Sequence, residues 1–177
     1  MIKAYKGNLF DYIDRENIDT LFSAANGIGP MGLGIAGAIR KYGGIEIQTE
    51  AFKICKSKDH QPGDAYRTNS GGLHSRGVLR IIHAVTMKNP GGKTSYYIIK
   101  KAFASALTLA MVEGSNIIGC TALGTGVGGL DPKKVAENMY EIALRYQTKL
   151  NIFFIDINPI FIENICKISK GSNCGKL

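Results

Sequence analysis

Apolar residues in this chain alternate between short unbroken runs and longer stretches where they recur every third or fourth position, the two patterns of buried strands and amphipathic helices. The pattern predicts strands at Ile2 to Lys6 and Leu21 to Ala25, then a helix from Gly34 to Tyr42 with Ile35, Ala38, Ile39 and Tyr42 on one face. Gly43-Gly44 breaks it, and a second helix covers Glu46 to Lys56. Strands follow at Asp64 to Asn69 and Val78 to Val85, joined through Ser70-Gly71-Gly72, whose turn chemistry suits a hairpin or loop. Thr94 or Ser95 can cap a long helix reaching Glu113, with Ile99, Ala102, Phe103, Ala106, Leu107 and Ala110 facing the core. Asn116 to Thr121 is a fully buried strand, and Asp131-Pro132 opens a helix marked by Val135, Met139, Ile142 and Tyr146. The most hydrophobic strand, Asn151 to Ile157, leads through Asn158-Pro159 into a final helix ending near Ser169.

Strands alternating with helices predict an α/β fold: a three-layer α/β/α sandwich whose mixed, mainly parallel sheet of about six strands carries helices on both faces. Residues 1–169 form one domain, and residues 170–177 are expected to be a mobile tail. Ligands of such sheets gather beyond the carboxyl ends of the strands. Two glycine-rich segments fall there, Ala24-Ala25-Asn26-Gly27-Ile28-Gly29-Pro30-Met31-Gly32-Leu33-Gly34 and Leu123-Gly124-Thr125-Gly126-Val127-Gly128-Gly129-Leu130. Each follows a strand and opens into a helix. Glycine lets a ligand approach the main chain, and N–H groups at a helix start attract anions, so two such cradles suggest a ligand with two phosphates.

Composition narrows the partners. The chain has 177 residues, 45% hydrophobic and 20% charged, as in an ordinary globular domain, with no apolar run long enough for a bilayer and no signal-peptide pattern. It is expected to be a cytoplasmic monomer with no membrane partner. Lys and Arg outnumber Asp and Glu by 22 to 14, for a net charge of +8, but the excess is dispersed and does not mark nucleic acid as the main ligand. Cys55, Cys120, Cys166 and Cys174 form no metal-binding hairpin, and His60, His74 and His83 are scattered, so neither a metal nor a cofactor is expected. His83, within an apolar strand, reads as a core or strand-end histidine.

Neither glycine segment is a phosphate-binding GxxxxGK[ST] loop, and Gly29-Pro30-Met31-Gly32-Leu33-Gly34 reverses the spacing of a dinucleotide fingerprint. Instead Gly7-Asn8-Leu9, Ser23-Ala24-Ala25-Asn26 leading to Gly32-Leu33-Gly34-Ile35-Ala36-Gly37-Ala38-Ile39, Ile81-Ile82-His83-Ala84-Val85 and Ala122 to Leu130 follow one another in an order that resembles the macrodomain family, whose members bind ADP-ribose. The resemblance implies a ligand site. Asn26 would contact the distal ribose, next to Ala25; Gly32, Leu33, Gly34 and Ile35 would wrap that ribose and a phosphate; Gly124, Thr125, Gly126, Val127 and Gly128 would clamp the diphosphate. Asn8, with Leu9, stands where many members carry an aspartate that accepts from the adenine amino group. Asp156, Asn158 and Phe161 would lie beside adenine and its ribose, with Phe161 either stacked on the base or simply a core residue of the last helix.

The resemblance implies first an ADP-ribose-binding domain that hydrolyses an ADP-ribosyl ester or ADP-ribose 1''-phosphate, and leaves a non-catalytic reader open. Family enzymes release ADP-ribose from modified acceptors, dephosphorylate ADP-ribose 1''-phosphate or deacetylate O-acetyl-ADP-ribose, whereas other members only bind. Positions that carry an aspartate or a histidine in two hydrolase branches are Ala36 and Met31 here. Asn26 is the candidate for holding a catalytic water, and Lys41 or Arg40 lies roughly where a third branch has a lysine. A non-catalytic reader of ADP-ribose or a related nucleotide is the alternative, and a nucleic-acid-binding accessory domain is a third reading that rests on net charge alone.

Overall fold

The computed structural model describes residues 1–171 and Cys174, and within them the chain runs β1 (Ile2–Lys6), β2 (Thr20–Asn26), α1 (Gly34–Gly43), α2 (Ile45–Ser57), β3 (Ala65–Thr68), β4 (Arg80–Met87), α3 (Tyr96–Val112), β5 (Ile117–Cys120), α4 (Pro132–Leu144), β6 (Asn151–Asp156) and α5 (Pro159–Ile168). Short 3-10 helices at Leu9–Tyr12 and Gly71–Arg76, which the apolar spacing does not reveal, fill two of the connections. The second lies in the link between β3 and β4, at the place expected to be a hairpin or loop.

The six strands form one sheet in the order β1-β6-β5-β2-β4-β3. Neighbours are parallel except β3, which runs antiparallel to β4 at the edge. Strand residues alternate between two cores because successive side chains leave opposite faces of the sheet. Phe22, Ile82, Ile152 and Phe154 join α3, α4 and α5 in one apolar layer, while Leu21, Ile81, Phe153 and Ile155 join α1, α2 and the Leu9–Tyr12 turn in the other. Both faces are therefore covered, which is why these strands read as continuous apolar runs.

Three helix starts follow the caps read from sequence. Ser95 accepts from Ile98 N at 3.3 Å, Asp131 from Lys133 N at 3.0 Å, and Asn158 from Ile160 N at 2.9 Å. The proline after Asp131 and after Asn158 sits in the first turn of α4 and α5, where a missing N–H costs nothing. Phe161 is 0% exposed and meets Phe154 edge to face in the α3–α5 core, so its other reading, a ring stacked on a ligand, is corrected. The periodic spacing of an α5 core residue and of a base-stacking residue is the same, and the inward face of the helix decides.

The tail also departs from expectation. Residues 172, 173 and 175–177 of the proposed mobile segment lie outside the described residues, but Cys174 is disulfide-bonded to Cys166 and bridges Ala4 of β1. No cysteine spacing had suggested that pairing.

His83 is completely buried on β4, stacked on Tyr66 at 4.6 Å, with Nε2 at 2.9 Å from Thr68 Oγ1. Its Nδ1 has no partner among the described residues. Burial drives its pKa down from 6.5 to about 3, so the folded protein keeps the ring neutral where the unfolded chain protonates it. Between these two values the unfolded state binds more protons, and stability falls as the pH falls, by about 1.4 kcal/mol per unit. Urea unfolding at pH 7 and pH 5 is expected to show a loss of about 2 kcal/mol at the lower pH from this residue, with His83→Gln flattening the dependence; an equal slope in both proteins would contradict it.

Candidate functional site

All five parallel strands end at one edge of the sheet, and the residues at or just beyond their ends, Gly7, Asn26, Met87, Thr121 and Asp156, line a single cleft of about 1030 Å³. The register of β2 against β4 shifts between Ala25 and Asn26, so β2 leaves the ladder as it enters the cleft. Every ligand contact expected from the resemblance lines this space except Phe161: Asn8, Leu9, Ala25, Asn26, Gly32, Leu33, Gly34, Ile35, Gly124, Thr125, Gly126, Val127, Gly128, Asp156 and Asn158. Lys41 does not. It is exposed on α1 with Nζ 5.9 Å from the ring of Tyr42, outside the cleft lining, which corrects its placement as a catalytic candidate. Six residues of helical rise, about 9 Å, separate it along α1 from Ile35, at the end of the helix that lines the cleft.

Asn26 holds the first loop in shape. Its Oδ1 accepts from Ile28 N at 3.1 Å and Gly29 N at 2.9 Å, and its Nδ2 donates to Pro30 O at 2.9 Å. A carboxamide has two acceptor and two donor positions, so one N–H is left for a ligand. From behind, Gln48 on α2 accepts the Met31 N–H at 2.8 Å and is itself bound by Arg40 Nη1 at 3.2 Å. Arg40 therefore supports the loop at one remove. Gln48 carried no sequence signal, because a polar residue in an amphipathic helix looks like any solvated one.

Beyond this clamp the loop opens. Gly34 takes a φ of 59° as the chain turns into α1, whose N-cap position is Leu33. Leucine has no side-chain acceptor, so α1 starts with its first-turn N–H groups uncapped, unlike α3, α4 and α5. Across the cleft, the second loop folds back on itself through Leu130 N to Gly124 O at 3.1 Å and Gly129 N to Gly126 O at 3.0 Å. The N–H groups of Thr125, Gly126, Val127 and Gly128 make no hydrogen bond among the described residues. A Cβ at Gly128 would lie 2.5 Å from Gly124 O and 2.7 Å from Thr94 Cγ2, so only glycine closes this turn. Leu33 and Val127, 76% and 58% exposed, stand on the two loops as apolar lips.

The third wall was missed. Pro90 and Gly91, after β4, and Ile157, after β6, also line the cleft. Pro90-Gly91-Gly92 lies three residues past the end of β4 and is itself a glycine-rich turn, the signal that located the other two loops.

Among the described residues Asp156 is the sole ionisable side chain in the cleft lining, and its oxygens receive Ala122 N at 2.8 Å and Asn158 N at 2.7 Å. No described lysine, arginine or histidine enters. The described lining therefore offers an anion backbone dipoles rather than side-chain cations. Among the described residues no group of three or more His, Cys, Asp or Glu is placed to hold a metal, and no helix is long and apolar enough to cross a membrane.

This sheet order, with helices on both faces and glycine loops at its carboxyl edge, defines an α/β/α sandwich with a cleft beyond its parallel strands. The chain belongs to the macro domain family, whose model matches residues 22–139. An uncharacterized protein of Aquifex aeolicus is 34% identical over 165 residues, covering 92% of this chain and 93% of that protein. A Cronobacter turicensis protein named O-acetyl-ADP-ribose deacetylase is 26% identical over 139 residues, 77% of each chain. A mutant Oceanobacillus iheyensis macrodomain, solved with ADPR, superposes with a TM-score of 0.78 at 18% identity over 96% of this chain and 94% of its own, a likeness of fold. Some relatives are longer, and the chain spans as little as 24% of one of them.

Asn26→Ala strands two N–H groups and a carbonyl at once. It is expected to lower unfolding free energy by about 1–3 kcal/mol in denaturant titrations, and no change would show that the loop keeps its shape without the amide.

Proposed function

We propose that the cleft binds ADP-ribose, free or attached to another molecule, with the diphosphate between the N-terminus of α1 and the 124–128 loop. The observation that carries this reading is the facing pair of backbone N–H sets that have no acceptor among the described residues. One set would receive each phosphate. The family, and the ligand named for the Oceanobacillus structure, support the choice of ADP-ribose among diphosphates. In this pose Gly32 to Ile35 and the remaining Asn26 N–H face the distal ribose, and the 7–10 and 155–159 segments enclose the base.

Binding without efficient turnover fits the cleft chemistry best. Hydrolysis of an ADP-ribosyl ester or of ADP-ribose 1''-phosphate is the second reading, favoured by the name of the Cronobacter relative. It would rest on a water held against Asn26 and the substrate's phosphate, because Asp156 is already bound from two sides.

Calorimetric titration with ADP-ribose is expected to give micromolar binding, with AMP at least about tenfold weaker because it spans a single phosphate station. Gly128→Ala is expected to abolish that difference while the protein stays folded. No heat with ADP-ribose would overturn the proposal. Product release under single-turnover conditions at a rate well above that of Asn26→Ala would favour the hydrolase over the reader.

A further inference from the structure

The parallel strands lay out the cleft walls in sheet order. From one end to the other these are the 7–10 turn and residues 157–159 after β1 and β6, the 124–128 loop after β5, the 26–34 loop after β2, and Pro90-Gly91 after β4. In the pose proposed above the base takes the first end, the diphosphate the middle, and the distal ribose the loop after β2. Pro90 and Gly91 then stand beyond that ribose, on the side where a group attached to it would extend.

The loops after β2 and β4 are joined here, because Gly27 N donates to Met87 O at 3.1 Å and to Lys88 O at 2.9 Å. Within residues 27–30 and 87–91 the lining side chains are Pro30, Met87 and Pro90, none with an N–H, an O–H or a charge. The wall is hydrocarbon and thioether. Lys88 Nζ is held by Asp59 and by His60 O, the latter at 3.0 Å, and Lys93 is exposed outside the lining. Space remains in front of the wall, since a Cβ on Gly91 would meet no heavy atom within 4 Å.

We infer that this wall is a subsite for an acyl chain carried on a hydroxyl of the distal ribose, and that it holds chains longer than acetyl more tightly. The inference rests on the reading of the cleft as an ADP-ribose site and names the group that this ribose carries. A phosphate there would exchange water for hydrocarbon, and with Lys88 engaged no cation of the lining meets it. An ester is neutral, and its alkyl tail gains from the same surface. Each methylene fully withdrawn from water strengthens binding by about fourfold, and contact with a wall on one side halves that free energy to about twofold.

The test is calorimetric titration of ADP-ribose, of ADP-ribose 1''-phosphate and of acetyl, butyryl and hexanoyl analogues of ADP-ribose whose ester oxygen is replaced by N–H, so that turnover cannot blur the binding. In the wild type the butyryl analogue is expected to bind about fourfold more tightly than the acetyl one, the hexanoyl analogue tighter again, and the 1''-phosphate more weakly than the acetyl. Pro90→Asp, which sets a charge in the wall, is expected to remove the gain with chain length; if that variant does not fold, Met87→Ala, which withdraws the thioether, is expected to reduce it. Equal binding of the three acyl analogues, or a 1''-phosphate bound more tightly than any of them, overturns the inference and leaves the cleft reading standing. So does a chain-length gain that the wall variant retains in full. Binding of neither ADP-ribose nor its analogues overturns the cleft reading, and the inference with it.

Discussion

Backbone N–H groups that the fold leaves without acceptors are the constraint around which this molecule is arranged. A helix start normally receives a side-chain cap, and three of the long helices here do. At α1 the cap position is Leu33, and at the second loop four successive N–H groups find no acceptor among the described residues. Because an unmet buried donor costs about 1–3 kcal/mol, such groups persist only where water or a ligand reaches them. The parallel sheet supplies that access, since it delivers both loops to the same edge and leaves a cleft between them.

The loops are flexible in composition but held in place. Asn26 fastens three backbone groups, Gln48 a fourth, and Arg40 holds Gln48. The second loop closes through its own carbonyls and the tight contact at Gly128. Donors fixed before a ligand arrives lose little entropy when it binds. Among the described residues Asp156 is the single ionisable side chain of the cleft lining, and two main-chain N–H groups engage it.

Much of this was legible in the sequence because it depends on local chemistry. Apolar runs and helical spacing locate the six strands and five long helices, and Ser95, Asp131-Pro132 and Asn158-Pro159 state their own helix starts. The glycine loops are visible because glycine is costly anywhere that does not require it. What stayed hidden depends on which way a face turns. Phe161 has the spacing of a core residue and of a ring beside the cleft, and only the packing of α5 on Phe154 separates the two. Lys41 is near in sequence to cleft residues yet lies farther along α1, past the end that lines the cleft, and the Cys166–Cys174 bond joins residues with no distinguishing pattern. The inward role of Gln48 is a hydrogen bond across 17 residues that composition does not encode.

The central claim is that main-chain donors of two loops hold the diphosphate. It is tested most directly by following backbone amide resonances while ADP-ribose is added. The account predicts large downfield shifts of amide protons at positions 34–36 and 125–128, with the basic surface around Lys53, Lys56 and Lys58 unmoved. Shifts concentrated on that surface, with the two loops silent, would contradict it.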